Sequence, residues 1–369
     1  MHMDFNAFKD PQLAKGVIEG IKRLATELDE RRGGEPIRIM EVCGTHTMAI
    51  AKNGLKGIMP GNIILTSGPG CPVCVTANPD LDIANALAAN HDLTITTFGD
   101  MLKVPGSYSS LNDEKGEGAD VRVVYSPLDA LALAEAHSEL EVVFIGVGFE
   151  TTTPIIAATI KRARDMGLEN FSVYGANKTV PLALRAIADD SEIAISALIL
   201  PGHVSTIIGL EPYKFLSDEF GVAGVIAGFE PLDILQGIYM LLQQMLDGRA
   251  EIEIGYARGV HEEGNPKAMA VMNEVFESCD AQWRGLGVIP GTGLRIKDEF
   301  AQFDAVKRFA PQPCEPRETP GCDCGNILRG VMSPPDCRLF GTTCTPERPI
   351  GPCMVSGEGS CAAYYRYHR

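Results

Sequence analysis

The chain has 369 residues, 45% of them hydrophobic, with glycine and proline spread throughout, the profile of a globular protein of two or three domains. Its 48 acidic against 32 basic side chains leave a net charge of −16 with no Lys/Arg block, which excludes a nucleic-acid phosphate track. The longest apolar runs, such as VVFIGVGF (142–149), are strand-sized, so no membrane partner is expected.

The N-terminal stretch MHMDFNAFKDPQ carries acidic residues and no apolar core, so no secretory leader is expected and the chain is expected to be cytoplasmic. In that compartment its 11 cysteines call for something other than structural disulfides. Cys43, Cys71 and Cys74 come early, Cys279 stands alone, and seven crowd into 314–361. The tail 311–369 also holds 9 of the 24 prolines and balances six basic against six acidic residues, so all the net acidity belongs to the body.

Residues 11–32 are predicted as an amphipathic helix, with Leu13, Val17, Ile18, Ile21 and Leu24 at helical spacing before Gly33-Gly34. Strand-like bursts follow at 37–42, 62–67, 93–98, 121–126, 141–147, 171–176, 192–200 and 223–228, separated by helical segments such as 81–90 and 127–137. That alternation predicts βα units on parallel sheets. A long apolar helix is expected within 228–246, then a strand-like piece and another helix in 251–277, then the turn-rich 282–300 with the only Trp.

IMEVCGTHTMAI (39–50) resembles FIGVGFETTTPI (144–155) in its strand, tight turn and Thr-rich helix entry. At nearly the same offset, 64–74 matches 172–182 and 97–107 matches 198–209. The repeat suggests two α/β domains of related architecture. The expected fold class is α/β: two related parallel-sheet domains, 1–128 and 129–255, plus a helical and loop-rich Cys-rich domain, 256–369. In such sheets ligands bind beyond the carboxyl ends of the strands, and each chemical motif falls at such a position.

Cys43-Gly44-Thr45-His46-Thr47 sets a thiol and an imidazole at a helix start, where the helix end is expected to lower the thiol pKa. The bland reading is a strand-end cysteine beside a capping threonine. Cys71-Pro72-Val73-Cys74 follows GPG after a strand. As a C-x-x-C it can be half a zinc site, a redox dithiol, or a neighbour of an iron centre. GFETTTP places Glu150 and Thr151 at a helix start, and PGHVS places His203 after a strand. Each can be ordinary capping, or together the far wall of a cleft facing the cysteines. In the tail, six thiols from Cys322 to Cys361 span forty residues at long, irregular intervals interleaved with Pro and Gly. Zinc knuckles favour short paired spacings, so an iron–sulfur cluster on four of the six is the stronger expectation, with two thiols left as a redox pair.

EVCGTHT, SGPGCPVCV, GFETTTP, PGHVS and DCRLFGTTCTPERPIGPCMVSGEG, in this order and nearly end to end, closely resemble the HypD family of nickel–iron hydrogenase maturation proteins. The resemblance implies two α/β domains and a third carrying a 4Fe-4S cluster. It implies an assembly scaffold with redox activity, rather than a free-standing turnover enzyme, on which mononuclear Fe becomes Fe(CN)2CO. A small HypC-type chaperone would share the iron and a HypE-type partner would donate cyanide. By motif, Cys43 would anchor the iron with His46 close by, and Cys71 and Cys74 would be the redox dithiol. Cys322, Cys337, Cys344 and Cys361 would hold the cluster; local sequence does not separate Cys322 from Cys324 for that role. Cys324 and Cys353 would be a second thiol pair, as in ferredoxin:thioredoxin reductase. Glu150, Thr151 and His203 would bind ligand or shape the cleft, and Cys279 and Cys314 match no motif. Independently, soft thiolates suit the low-spin Fe(II) that cyanide and carbonyl require. The alternatives are an iron–sulfur disulfide reductase and a purely structural iron–sulfur or zinc platform.

Overall fold

The computed structural model describes residues 11–368; residues 1–10, on which the leader expectation rests, lie outside the described residues. Helix Pro11–Arg32 buries Ile21, Leu24, Ala25 and Leu28 against the Ile234, Ile238 and Leu241 side of helix Pro231–Leu246. Packing begins at Val17 and Ile18, while Leu13 stays 50% exposed. No helix among the described residues is long and apolar enough to cross a membrane.

Among the described residues, nine strands form two fully parallel sheets. In chain order they are β1 (Ile37–Glu41), β2 (Ile63–Ser67), β3 (Leu93–Thr97), β4 (Asp120–Val123), β5 (Glu141–Gly146), β6 (Phe171–Gly175), β7 (Ala197–Pro201), β8 (Ala223–Ala227) and β9 (Ile252–Ile254). The first sheet runs β2-β1-β7-β8-β9 and the second β4-β3-β5-β6. Successive residues feed opposite cores: Leu198 and Leu200 face one side of the first sheet, Ala197 and Ile199 the other. Burial on both faces is what makes these strands read as continuous apolar runs. Residues 192–196 fall outside the strand expected at 192–200.

The sheets do not divide the chain at residue 128. Segment 1–128 gives β1 and β2 to the first sheet and β3 and β4 to the second; segment 129–255 gives β5 and β6 to the second and β7 to β9 to the first. The sequence repeat explains this pattern. Read from β2, the first sheet is β2-β1-β7-β8; read from β6, the second is β6-β5-β3-β4. The matched segments fall on β1 and β5, β2 and β6, and β3 and β7, which hold equivalent places. Each sheet therefore takes two strands from either copy of a four-strand repeat, an exchange that hydropathy cannot reveal because it says nothing about strand partners.

The segment expected to be turn-rich is an antiparallel hairpin of β10 (Phe276–Trp283) and β11 (Gly287–Ile296), irregular at Cys279 and Ala281. Trp283 is buried at its tip, its Nε1 donating to Thr292 Oγ1 at 2.8 Å. Nor is the tail a separate unit. Its short helices Cys324–Leu328, Pro352–Val355 and Ser360–Tyr367 put Cys324, Cys337, Cys344, Cys353 and Cys361 into the same apolar core as Met40, Leu198 and Leu200 of the first sheet.

Because the first sheet needs strands from both ends of the body, residues 1–128 and 129–369 expressed separately are each expected to lack a cooperative thermal transition. A cooperative melt from isolated 1–128 would contradict the exchanged pairing.

Candidate functional site

Four adjacent strands of the first sheet, β2-β1-β7-β8, send out the loops that carry Cys71, Cys43, His203 and Phe229. Because all run parallel, the four loops emerge at one edge. Cys43 continues β1 in extended conformation and opens helix Gly44–Lys52. Its N–H donates to Glu41 Oε2 at 3.0 Å, and Thr47 Oγ1 donates to Glu41 Oε1 at 2.5 Å. Gly70 abuts this turn so closely that a Cβ there would lie 2.1 Å from the Cys43 nitrogen. Only glycine permits that approach, and the Gly44 N–H donates to the Gly70 carbonyl at 3.0 Å, locking the two loops together.

Cys43, Thr45, Gly70, Thr151, His203 and Glu358 line an open cleft of about 450 Å³. Glu358 arrives from the tail and accepts from Thr45 Oγ1 at 2.7 Å. The Cys43 thiol is pushed up to about 12, by burial first and then by Glu358 and Glu41. The N–H groups of Thr45 and His46 act in the opposite direction, so the lowering expected from the helix start is present but outweighed.

His46 sits behind the cleft rather than in its lining. Its ring is fully buried and stacks on Phe229 at 4.7 Å between centroids. Nε2 lies 2.9 Å from the Gly228 carbonyl, which fixes the proton there, and Nδ1 has no hydrogen-bond partner among the described residues. Burial pushes its pKa down to about 4, so it is neutral near pH 7. His203, exposed in the cleft, stacks on the same Phe229 ring at 3.8 Å.

Of the residues expected from the GFETTTP loop, Thr151 lines the cleft and Glu150 does not. Glu150 turns inward, where Oε1 accepts from the Val180 N–H at 3.0 Å at the start of helix Val180–Asp189. That unsatisfied helix amide draws the carboxylate away from the cleft. Its Oε2 has no hydrogen-bond partner among the described residues, and burial raises its pKa from 4.5 to about 7. Beside it lies the fully buried Tyr213, whose phenol is kept protonated by burial and by Glu150.

Cys71 caps the short helix Pro72–Val75, and its Sγ lies 2.6 Å from Cys74 Sγ. Cys74 neighbours Cys353, which in turn lies 2.6 Å, sulfur to sulfur, from Cys324. Cys324 adjoins Cys322. The thiols thus form a buried file from the cleft loops into the tail, with Cys71, Cys74, Cys324 and Cys353 all under 5% exposed.

The file ends at a small cavity lined by Cys322, Cys337, Cys344 and Cys361 together with Cys324 and Cys353 of the file itself. The Cys361 thiol is raised by burial and then by Cys344, Cys322 and Cys337, while Cys324 lies close to both Cys322 and Cys353. Ile327, Leu339, Phe340 and Met354 complete an apolar wall. Among the described residues no three His, Cys, Asp or Glu side chains gather around one point as a single ion would need. A cubane cluster instead holds four thiolates apart on separate irons, and the six thiols around this apolar cavity are enough to supply the four. Cys279, half-buried on β10, and exposed Cys314 take no part.

Glu41, Glu358 and Phe229 belong to the site but carry no distinctive sequence signal. Glu41 and Glu358 sit inside the motifs EVCGTHT and VSGEG, and a carboxylate closing an apolar strand, or one flanked by glycines, is the trace that could have singled them out.

The family described as "HypD: Hydrogenase formation hypA family" matches residues 12–368. Hydrogenase maturation factor HypD of Rhizobium leguminosarum bv. viciae is 46% identical over 370 residues, covering 98% of this chain and 94% of that protein. Its counterpart from Rhodobacter capsulatus is 46% identical over 365 residues, covering 98% and 97%. A putative hydrogenase expression/formation protein of Methanocaldococcus jannaschii is 41% identical over 360 residues, covering 98% of each.

The folded chain holds the Glu150 proton more tightly than the unfolded chain does, so this group's contribution to stability falls as pH rises from about 4.5 past about 7. Glu150→Gln is therefore expected to match the parent chain in acid and to exceed it above neutrality by on the order of 3 kcal/mol, read from urea unfolding at each pH. A difference that does not change with pH would contradict the buried, proton-retaining carboxyl.

Proposed function

The chain belongs to the HypD family of hydrogenase maturation factors, and from that premise we propose that it is a redox-active scaffold for assembling the Fe(CN)2CO unit. The observation that carries the reading is the file of thiols from the cleft loops to the cavity lined by six cysteines. Cys43 anchors the iron cargo, whose second thiolate comes from a HypC-type chaperone seated over the open cleft. A thiol buried beside Glu358 and Glu41 keeps its proton until a cation arrives to replace it, and the same carboxylates favour that cation. Thr151 and His203 present hydroxyl and ring N–H groups across the cleft, where they can hydrogen-bond cyanide delivered by a HypE-type partner.

Cys71 and Cys74 supply two electrons and two protons on closing to a disulfide; the acceptor is the bond that carries the cyano group on the HypE-type donor, which breaks to give cyanide and the protonated carrier. Cys353 is placed to reopen it: its thiolate attacks Cys74, Cys71 leaves as a thiolate, and Cys324 then resolves the mixed disulfide by closing on Cys353. Cys322, Cys337, Cys344 and Cys361 would hold a 4Fe-4S cluster, whose chemistry when bound is one-electron supply beside that second pair. The reading as a free-standing disulfide reductase requires a thiol that a partner's disulfide can reach. Cys71 and Cys74 are only 3% and 0% exposed, which favours internal use.

In a strain lacking its own copy, Cys43→Ala is expected to abolish hydrogenase maturation. The purified variant should keep the visible absorption of the cluster and lose only the iron in excess of it. A Cys43→Ala chain that still matures hydrogenase would refute the anchor.

A further inference from the structure

Arg284, in the turn between β10 and β11, is 6% exposed and has no place in the cleft. Its Nη2 donates to the Thr76 carbonyl at 2.9 Å and to Asn78 Oδ1 at 2.7 Å, both in the loop leaving Cys74. Its own backbone N–H donates to the Val75 carbonyl at 2.9 Å. Nη1 meets Glu318 Oε2 at 3.3 Å on the segment entering the Cys-rich tail, and Nε, also buried, has no hydrogen-bond partner among the described residues. The guanidinium shares a second cavity, of about 330 Å³, with Cys322 and Cys324. One side chain therefore joins the dithiol loop, the entry to the tail and the Cys322–Cys324 loop.

The turn cannot draw the charge back. Gly285 has φ +79°, and a Cβ on it would lie 2.5 Å from the Gly325 Cα, so the turn is pressed against the helix that Cys324 begins. Nor is the charge well neutralised: the side chain of Glu318 is 70% exposed, and a solvated partner screens a buried cation weakly. Asp323 is the other acidic residue lining this cavity. A guanidinium keeps its proton at any pH the protein meets.

We propose that Arg284 sets the reduction potential of the centre held by Cys322, Cys337, Cys344 and Cys361, through a fixed positive charge that favours its reduced state. The inference rests on the cluster reading above. Reduction of a thiolate-bound cluster adds one electron, from a low-potential one-electron donor, and makes the centre more negative; a buried cation stabilises the more negative state. Arg284 is thus a positioning residue for electron transfer, making no contact with the cleft where iron would sit.

The test is an anaerobic titration of the intact chain with dithionite and mediators, following the electron paramagnetic resonance signal of the reduced cluster. Arg284→Gln is expected to shift the midpoint to lower potential with the oxidised absorption unchanged, and Arg284→Lys to stay near the parent value. Glu318→Gln, which leaves Arg284 in place, is expected to shift it upward by a smaller amount, a change of sign that mere loosening of the fold does not produce. It serves as the deciding variant if Arg284→Gln fails to fold. Intact cluster spectra with an unmoved midpoint in Arg284→Gln, or in Glu318→Gln where that decides, would overturn the role of Arg284 alone. Absence of any cluster signal in the anaerobically prepared parent chain would overturn both this role and the cluster reading.

Discussion

Strand β1 lies between β2, which follows it closely, and β7, whose pairing begins 158 residues on, where the Ser196 hydroxyl accepts from the Arg38 N–H at 3.1 Å. The site depends on that placement. A parallel sheet gathers its outgoing loops at one edge, so seating β1 between these partners brings the CGTHT, CPVC and PGHVS loops together. The second sheet contributes its GFETTTP loop across the cleft. Were each sheet assembled from one contiguous half of the chain, Cys43 and His203 would come from different sheets. The exchange of strands between the repeats is what makes the cleft.

The tail completes what the sheets begin. Glu358 closes over the Cys43 turn, and Cys353 and Cys324 extend the file that begins at Cys71 and Cys74. Burial is the common physical theme. It holds the Cys43 thiol protonated, makes His46 a neutral stacking partner, and leaves the Arg284 guanidinium with only a solvated carboxylate as its ion-pair partner. Charges that would count for little on the surface become the terms that tune the site.

Local patterns were readable from the chain itself. The amphipathic helix at 11–32, the eight main strands and the long apolar helix near 231–246 follow from periodicity over short windows, and the family followed from ordered motifs. Pairing was not readable, because an apolar strand does not name its neighbour; only the repeat carried that information. The hairpin 276–296 escaped because Gly285, Gly287, Gly291 and Gly293 imitate a loop. Residue type singles out the cysteines and His203, whereas Glu41 and Arg284 are common residues distinguished by burial and Glu358 by its contact with the Cys43 turn. Glu150 was flagged for the cleft but serves the amide end of helix Val180–Asp189. Spacing does not separate Cys322 from Cys324, and both line the cysteine cavity.

The central claim is that Cys43 anchors an iron carrying cyanide and carbonyl. The most direct measurement is an anaerobic infrared spectrum of the chain co-expressed with a HypC-type protein, recorded beside the Cys43→Ala variant. The account expects cyanide and carbonyl stretches in the parent complex and none in the variant. Bands that persist unchanged in Cys43→Ala would contradict it.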